Sequence, residues 1–271
     1  MTAPTSLIRL SGVGKRYGRG EPVLAHIDFE VPAGTVLGIL GTNGSGKSTL
    51  LRILAGVSRP SYGEIAGTPA IGYLPDRFPG GQRLSARAYL RHLGRIRGLA
   101  DLSGIDPLLS RLALVGDPDA QLRTLSKGNA QKVGLAQAVL AKPDLLILDE
   151  PWSGLDVGTH AVLAELVAET RDRGASVVFT DHRPGVVREY ADEVYRLDAG
   201  RLAPLETHPD RTRITLRPVT PAVGDWSAEP GVHLVTDDAG GVILTVEAKH
   251  ADAVLLRALS GGWSVREVAP C

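Results

Sequence analysis

A nine-residue segment has the composition of a phosphate-binding loop. It reads Gly-Thr-Asn-Gly-Ser-Gly-Lys-Ser-Thr over residues 41–49 and directly follows the apolar run Thr35–Leu40. Glycines permit a tight turn whose N–H groups point at anionic oxygens, and the next helix adds its positive N-terminal end. Lys47 would reach the β- and γ-phosphates, and the Ser48 hydroxyl would help to hold Mg²⁺. The pattern predicts a nucleoside triphosphate site formed by Gly41, Asn43, Gly44, Ser45, Gly46, Lys47, Ser48 and Thr49.

Two further segments place chemically active side chains directly after predicted buried strands. Asp149 and Glu150 follow the all-apolar run Leu145–Leu148, and His182 follows Ser176–Thr180. At such a sheet edge Asp149 can bind Mg²⁺, and Glu150 can orient and deprotonate an attacking water. A histidine there can donate a hydrogen bond to a γ-phosphate oxygen. The alternatives are an ordinary Asp-Glu turn and a surface histidine, so these residues gain meaning only beside the phosphate loop.

The elements that must position these residues alternate between strands and helices. This alternation predicts a parallel α/β core with right-handed crossovers. A mostly helical insertion begins near residue 83 and extends to about residue 141, while residues 60–64 have the composition of a turn. The other predicted elements of the core are strands Leu7–Gly12, Val23–Val31, Ile71–Leu74, Val194–Leu197 and Arg201–Leu205, and helices 47–55, 128–141 and 157–173.

Composition limits the classes of function. The 271 residues carry 30 Lys and Arg against 30 Asp and Glu, so the net charge of zero does not indicate a nucleic-acid partner. The single cysteine, Cys271, excludes an intramolecular disulfide and fits a reducing compartment. The N-terminus lacks a signal-peptide core, and no apolar run approaches the roughly 18–20 residues that span a bilayer. Any work at a membrane is therefore expected to need another chain.

The composition changes after residue 205. A polar stretch with Pro209 reads as a linker, and strand-like and helical patterns then predict a separate, small α+β unit over residues 206–271. Its predicted strands are Thr212–Leu216, His233–Thr236, Gly241–Glu247 and Trp263–Val268, with a helix over Lys249–Leu259. We find no chemical motif in this unit.

Residues 5–205 resemble the ATP-binding subunits of ATP-binding cassette (ABC) transporters. Leu125-Ser126-Lys127-Gly128-Asn129 stands where that family has its Leu-Ser-Gly-Gly-Gln signature, and Ser153-Gly154-Leu155-Asp156 matches its D-loop. His182 matches the switch histidine, and Tyr17 falls where an aromatic ring stacks on adenine. The resemblance implies a P-loop NTPase core with a parallel sheet, an N-terminal antiparallel β part and a helical insertion.

The same resemblance implies ATP and Mg²⁺ as ligands and a head-to-tail dimer, either a homodimer or a pseudo-dimer with a related ATPase. Ser126, Gly128 and Asn129 would then contact the nucleotide held by the opposite subunit. Helix N-terminal donors suit that role, although Ser126 can also simply cap the following helix.

Three residues depart from the family pattern. Lys127 and Asn129 replace Gly and Gln in the signature, and Asp76 stands where the family usually has Gln. Asn129 keeps an amide on a shorter stem, and Lys127 adds positive charge near the expected phosphates. Asp76 can still touch Mg²⁺ or a water, but a carboxylate near phosphates increases charge repulsion.

The insertion, notably residues 84–90, resembles that of bacterial drug and lipid exporter ATPases. We therefore expect the ATP-hydrolysing subunit of a bacterial exporter, peripheral at the cytoplasmic face of the membrane and bound to an integral membrane permease. The alternative is a soluble ATPase switch of the same fold that remodels a protein or nucleoprotein target. A binding-only pseudo-ATPase is disfavoured, because Lys47, Ser48, Asp149, Glu150 and His182 are all present.

Overall fold

A computed structural model describes residues 6–78, 83–205, 211–219, 226–238 and 240–270, and the chain divides into two compact units, residues 1–205 and 206–271. The described strands of the first unit are β1 (Ser6–Lys15), β2 (Leu24–Pro32), β3 (Val36–Leu40), β4 (Tyr62–Ala66), β5 (Ile71–Leu74), β6 (Leu145–Asp149), β7 (Ser176–Asp181), β8 (Glu193–Asp198) and β9 (Arg201–Leu205). Its described α-helices are α1 (Lys47–Leu54), α2 (Ala86–Ile96), α3 (Ile105–Arg111), α4 (Lys127–Val139), α5 (Val157–Asp172) and α6 (Pro184–Tyr190).

The predicted parallel sheet is confirmed. Among the described residues, six strands form one sheet in the order β5-β6-β7-β3-β8-β9, parallel except for β9, which is antiparallel to β8. Every residue of β3, β6 and β7 is buried. Leu146 and Leu148 of β6 pack into one hydrophobic cluster and Leu145 and Ile147 into another. Both faces of the sheet are thus covered, which explains the uninterrupted apolar runs in the sequence.

A second sheet of the first unit has the order β2-β1-β4 and is antiparallel, as the family resemblance implied. The prediction of a turn over residues 60–64 is wrong at its C-terminal end, because β4 begins at Tyr62. All five residues of β4 are exposed, so the strand has no hydrophobic alternation that sequence reasoning could detect. It is an edge strand that pairs with β1 through its backbone.

The helical insertion contains α2 and α3 and passes into α4. Ser85 caps α2 by accepting a hydrogen bond from the N–H of Ala88 at 3.1 Å. Arg87 of α2 binds Asp106 at 2.7 Å and also binds Asp119, which ties α2 to α3 and to the loop after it. Helix α3 is short within this insertion, since it ends at Arg111 and Ala113 adopts a φ of 50°.

The second unit is an antiparallel sheet with one helix on it, in agreement with the predicted α+β pattern. Its elements are β10 (Arg211–Pro218), β11 (Val232–Asp238), β12 (Gly241–Glu247), α7 (Ala251–Ser260) and β13 (Trp263–Pro270). The strand order is β11-β12-β10-β13. Val254 and Ala258 of α7 pack on Ile214, Leu244 and Val246 of the sheet.

None of the helices in the described ranges is long and apolar enough to cross a membrane.

Candidate functional site

The predicted phosphate loop connects β3 to α1, and two of its glycines are required by their surroundings. A Cβ atom on Gly41 would lie 2.6 Å from the carbonyl oxygen of Leu197. Gly46 immediately precedes α1 with a φ of 106°, a conformation that other residues rarely adopt. The loop is therefore packed tightly against β8 and turns sharply into α1, as a backbone cradle for anionic oxygens requires.

Lys47 is the first residue of α1, and its side chain turns back over the loop. The residue is only 5% exposed, and its ammonium group donates to the carbonyl oxygens of Gly41 at 2.7 Å and Thr42 at 3.1 Å. The same nitrogen lies 3.7 Å from Oε1 of Glu150. A buried cation is thus held at the centre of the loop, facing the carboxylate that was predicted to be the general base.

A cleft of about 330 Å³ brings half of the predicted site residues together. Two of its lining residues, Val23 and Thr42, were not among the predicted site residues. The predicted residues that line it are Asn43, Gly44, Gly46, Lys47, Ser48, Thr49, Asp76 and Glu150.

Asp149 is buried beside this cleft, at the end of β6. It is 1% exposed, and its Oδ1 accepts a hydrogen bond from the hydroxyl of Thr180 at 2.8 Å. Its Oδ2 and the hydroxyl of Ser45 are buried without a hydrogen-bond partner among the described residues. A buried carboxylate oxygen with no donor is suited to a cation. With the Ser48 hydroxyl in the cleft, the oxygen donors fit a hard divalent cation such as Mg²⁺.

Thr180 also positions Glu150, a role that the sequence did not indicate. The N–H of Glu150 donates to the Thr180 hydroxyl at 3.1 Å, and Glu150 has a φ of 47°. Thr180 therefore joins the ends of β6 and β7 through one hydroxyl that bonds to both acidic residues. This left-handed conformation at Glu150 is strained for a residue with a side chain, so it has to be held by its neighbours.

Replacing Thr180 with Val should destabilise the protein, because the substitution keeps the shape and removes the hydroxyl. Oδ1 of Asp149 and the N–H of Glu150 would both lose their partner at a buried position. The free energy of unfolding, measured by chemical denaturation, should fall by about 1–3 kcal/mol for each group left unpaired. The variant Thr180→Ser retains the hydroxyl and is the matched control. Equal stability of the two variants would contradict this role for the hydroxyl.

His182 lies against Glu150, at the sheet edge where the sequence predicted both residues. Its Nδ1 is 3.7 Å from Oε2 of Glu150, while Oε1 of the same carboxylate faces Lys47. The histidine side chain is 55% exposed and can therefore reach a group bound in front of the sheet. An acid, a cation and an imidazole thus meet where the carboxyl ends of parallel strands converge, the usual position of a ligand site in such sheets.

The residue pair that flanks His182 fixes the end of β7. Asp181 is buried, and Arg183 donates to its Oδ1 from the backbone and from Nε, and to its Oδ2 at 2.9 Å. Burial raises the pKa of Asp181, but the hydrogen bonds and the charge of Arg183 outweigh burial, so the pKa lies below its usual value. The carboxylate therefore stays ionised and bound to Arg183, which holds the backbone on both sides of His182.

The predicted signature segment lies outside the residues that line the cleft. Ser126 caps α4 by accepting from the N–H of Asn129 at 3.2 Å. The amide of Asn129 is engaged within the chain, since it accepts from the N–H of Val115 and donates to its carbonyl oxygen. A Cβ atom on Gly128 would lie 3.1 Å from the carbonyl oxygen of Gly154, so the signature contacts the predicted D-loop. The nucleotide contacts of Ser126, Gly128 and Asn129 stay predictions.

Tyr17 also lies outside the lining of the cleft. It is 52% exposed, and the ammonium group of Lys15 lies 5.1 Å from the centre of its ring. The ring is thus available to a planar ligand, and its contact with adenine stays a prediction.

A buried lysine joins α4 to the D-loop, and sequence reasoning missed it. Lys132 is 4% exposed and donates to the carbonyl oxygen of Ala113 and to Oδ2 of Asp156, both at 2.9 Å. The bond from Lys132, together with those from Thr159, lowers the pKa of Asp156. Asp156 also caps α5 through Thr159. The only signal in the sequence was a basic residue, Lys132, in the second turn of the predicted helix.

Trp152 is a second structural residue that the motifs did not indicate. It is 2% exposed, stacks on Tyr190 with ring centres 4.9 Å apart, and meets Phe179 edge-on at 5.0 Å. Its carbonyl oxygen lies 3.1 Å from Nε2 of His160. The tryptophan follows Glu150 by two residues, and Tyr190 ends the helix that begins just after His182. One aromatic cluster therefore supports both sides of the candidate site.

Comparison with known proteins identifies relatives along most of this chain. A family model described as ABC transporter matches residues 24–153. The zinc import ATP-binding protein ZnuC of Paramagnetospirillum magneticum is 37% identical over 221 residues, covering 76% of this chain and 80% of that protein. The methionine import ATP-binding protein MetN 1 of Rhodococcus jostii is 33% identical over 254 residues, covering 85% and 72%. YhaQ of Bacillus subtilis, an uncharacterized ABC transporter ATP-binding protein, is 33% identical, covering 72% and 69%.

Solved structures agree with the described fold. An ATP-binding subunit of an ABC transporter superposes with a TM-score of 0.67 at 27% identity, covering 73% of this chain and 90% of that one. A dimeric ATP-binding cassette bound to ADP and Pi superposes with a TM-score of 0.66 at 23% identity, covering 73% and 99%. The second likeness is one of fold alone.

Proposed function

The chain belongs to the ABC transporter family, as an ATP-binding subunit that hydrolyses ATP, and we propose that it energises a separate membrane permease through ATP-driven closure of a dimer. The observation that carries this proposal is the meeting of Lys47, Glu150 and His182. One carboxylate oxygen of Glu150 lies 3.7 Å from the ammonium nitrogen of Lys47, and the other lies 3.7 Å from Nδ1 of His182. The family supplies the ATPase activity, and this geometry supplies the roles of individual residues.

In the proposed reaction the phosphate loop binds the β- and γ-phosphates. Lys47 already has its ammonium group inside the loop, and on binding it would exchange its bonds to the carbonyl oxygens of Gly41 and Thr42 for phosphate oxygens. Ser48 and Asp149 would hold Mg²⁺, with Asp76 in the same cleft. The bound cation would neutralise charge on the β- and γ-phosphates.

Glu150 would then orient the attacking water and accept its proton. His182 would donate a hydrogen bond to a γ-phosphate oxygen, where negative charge accumulates during transfer. The strained backbone at Glu150, held by the hydroxyl of Thr180, fixes the carboxylate between the cation and the imidazole. This arrangement limits the reorganisation that the reaction requires.

The dimer part of the proposal rests on the signature segment. Ser126 and Gly128 stand at the N-terminus of α4, where helical N–H groups favour an anion, but they lie outside the cleft of their own chain. A head-to-tail dimer would place them, with Asn129, against the nucleotide of the opposite subunit. A homodimer and a pseudo-dimer with a related ATPase both satisfy this requirement.

In the proposed transport function, the protein lies at the cytoplasmic face of a membrane and is bound to an integral membrane permease. We retain export as the proposed direction, on the resemblance of the helical insertion and on Asp76, because exporter ATPases that resemble this chain often carry an acid at that position. The two relatives whose names state a direction are named for import, so the assay of direction must be able to return either result.

The test is affinity purification of the tagged full chain from detergent-solubilised native membranes. A polytopic membrane protein copurifying in stoichiometric amount is the expected result. Reproducible recovery of a soluble partner without any membrane protein would instead favour the ATPase switch that remodels a protein or nucleoprotein.

The direction of transport is measured by reconstituting the complex in vesicles with ATP on one side only. Loss of substrate from the compartment that holds ATP supports export, and accumulation there overturns it.

A further inference from the structure

Two residues that depart from the family pattern, Asp76 and Lys127, face the same cleft. This cleft, of about 340 Å³, lies between the loop after β5 and the first turns of α4. Asp76, Arg77 and Phe78 line it from the loop, and Lys127, Ala130 and Gln131 line it from the helix. An acid and a base that both replace uncharged family residues are thus brought to opposite walls of one opening.

The inner end of this cleft is closed by close packing. A Cβ atom on Gly134 of α4 would lie 2.7 Å from Cδ1 of Leu74 and 2.9 Å from Cδ2 of Phe78. The loop and the helix therefore touch at this level, and no larger residue fits there. Nearer the start of α4 Lys127 is exposed and the side chain of Asp76 is half-buried. Asp76 and Lys127 do not form an ion pair in the described chain. The carboxylate of Asp76 instead lies 4.0 Å from Nε of the exposed Arg77.

Gln131 supplies a second observation that points to a missing acceptor. The residue is 3% exposed, and its Nε2 has no hydrogen-bond partner in the part of the chain that the structure describes. A buried amide without an acceptor is costly, so its partner is expected to come from the cleft. Asp76 is the anionic residue among the six that line this cleft.

The position of Lys127 is itself unfavourable without a counter-charge. It is the first residue of α4, and the first turn of this helix contains no acidic residue. Positive charge at a helix N-terminus opposes the helix dipole, whereas a carboxylate there is favoured. A carboxylate between Lys127 and Gln131 would satisfy the ammonium group, the amide and the helix end together.

We infer that Asp76 docks onto Lys127 and Gln131, closing this cleft and keeping the carboxylate away from the nucleotide phosphates. Asp76 lines the nucleotide cleft as well, so this one side chain borders both openings. When it is undocked, the carboxylate repels the phosphates, and when it is docked, Lys127 neutralises it. Lys127 is then a positioning residue that acts through Asp76, and the two departures from the family pattern compensate each other.

The test measures ATP affinity in EDTA with dilute full-length protein, so that neither hydrolysis, transport nor dimer closure contributes. Replacing Lys127 with Ala should raise the Kd for ATP roughly two- to fivefold, the range expected for one partly exposed ion pair. In a background with Asp76→Asn, the same Lys127→Ala change should have no effect on the Kd. Arg123→Ala removes an equal charge from an exposed position four residues earlier and is the matched control.

Two results would overturn the inference. One is an unchanged Kd in the Lys127→Ala variant. The other is an increase of the same size in the Asp76→Asn background, which would mean that Lys127 acts on phosphates directly.

Discussion

Replacing Glu150 with Gln should reduce ATP turnover by a factor of at least about 100 while leaving ATP binding intact. General-base catalysis contributes roughly 10²- to 10⁴-fold, and an amide of the same shape cannot accept the proton of the attacking water. In the unmodified protein, Lys47 and His182 each lie 3.7 Å from one carboxylate oxygen of Glu150. The glutamine amide can keep its oxygen towards Lys47 and place its nitrogen towards His182. Phosphate release gives kcat, and titration with a fluorescent nucleotide gives the Kd.

The control for this prediction is Glu64→Gln, which makes the same chemical change at an exposed position of β4. Its kcat and Kd should match those of the unmodified protein. Turnover that persists in Glu150→Gln would remove Glu150 as the base and direct attention to His182. A large rise in Kd would mean that Glu150 holds Lys47 in the phosphate loop and that its contribution is to binding.

The parts of this site that sequence reasoning predicted are those that depend on one strand and the few residues after it. The phosphate loop needs only β3, six loop residues and α1, and Glu150 and His182 each follow a buried strand directly. Because parallel strands end at one edge of their sheet, three local patterns were enough to place these residues together. The fold followed from the same alternation of strands and helices.

The parts that sequence reasoning missed depend on contacts between distant segments. Thr180 is an ordinary strand residue until β7 lies beside β6 and its hydroxyl meets both Asp149 and Glu150. The strand β4 is exposed along its whole length and has no apolar period. Lys132 is one basic residue of a helix until Asp156 is brought to it. In each case the partner lies on another segment, at a register that no local pattern encodes.

Trp152 carries the second large prediction, because its ring connects both halves of the site. Truncation to Ala removes the stacking on Tyr190 and the edge contact with Phe179, and it leaves a cavity where these rings meet. Loss of a buried aromatic ring costs about 3–5 kcal/mol of unfolding free energy. Displacement of Glu150 relative to His182 should also lower kcat about 10- to 100-fold, since small errors in position are costly in catalysis. Calorimetry and steady-state kinetics measure the two effects.

Two variants separate positioning from mere loss of stability. Trp152→Phe keeps a ring against Tyr190, and Nε1 of Trp152 has no hydrogen-bond partner among the described residues, so this variant should recover most of kcat. Trp226→Ala removes an equally buried ring from the core of the second unit and should lower stability without lowering kcat. Because the phosphate loop is built from β3 and α1, the KM for ATP should change little in Trp152→Ala. A rise in KM with an unchanged kcat would place the influence of the aromatic cluster on nucleotide binding instead of on the Glu150–His182 pair.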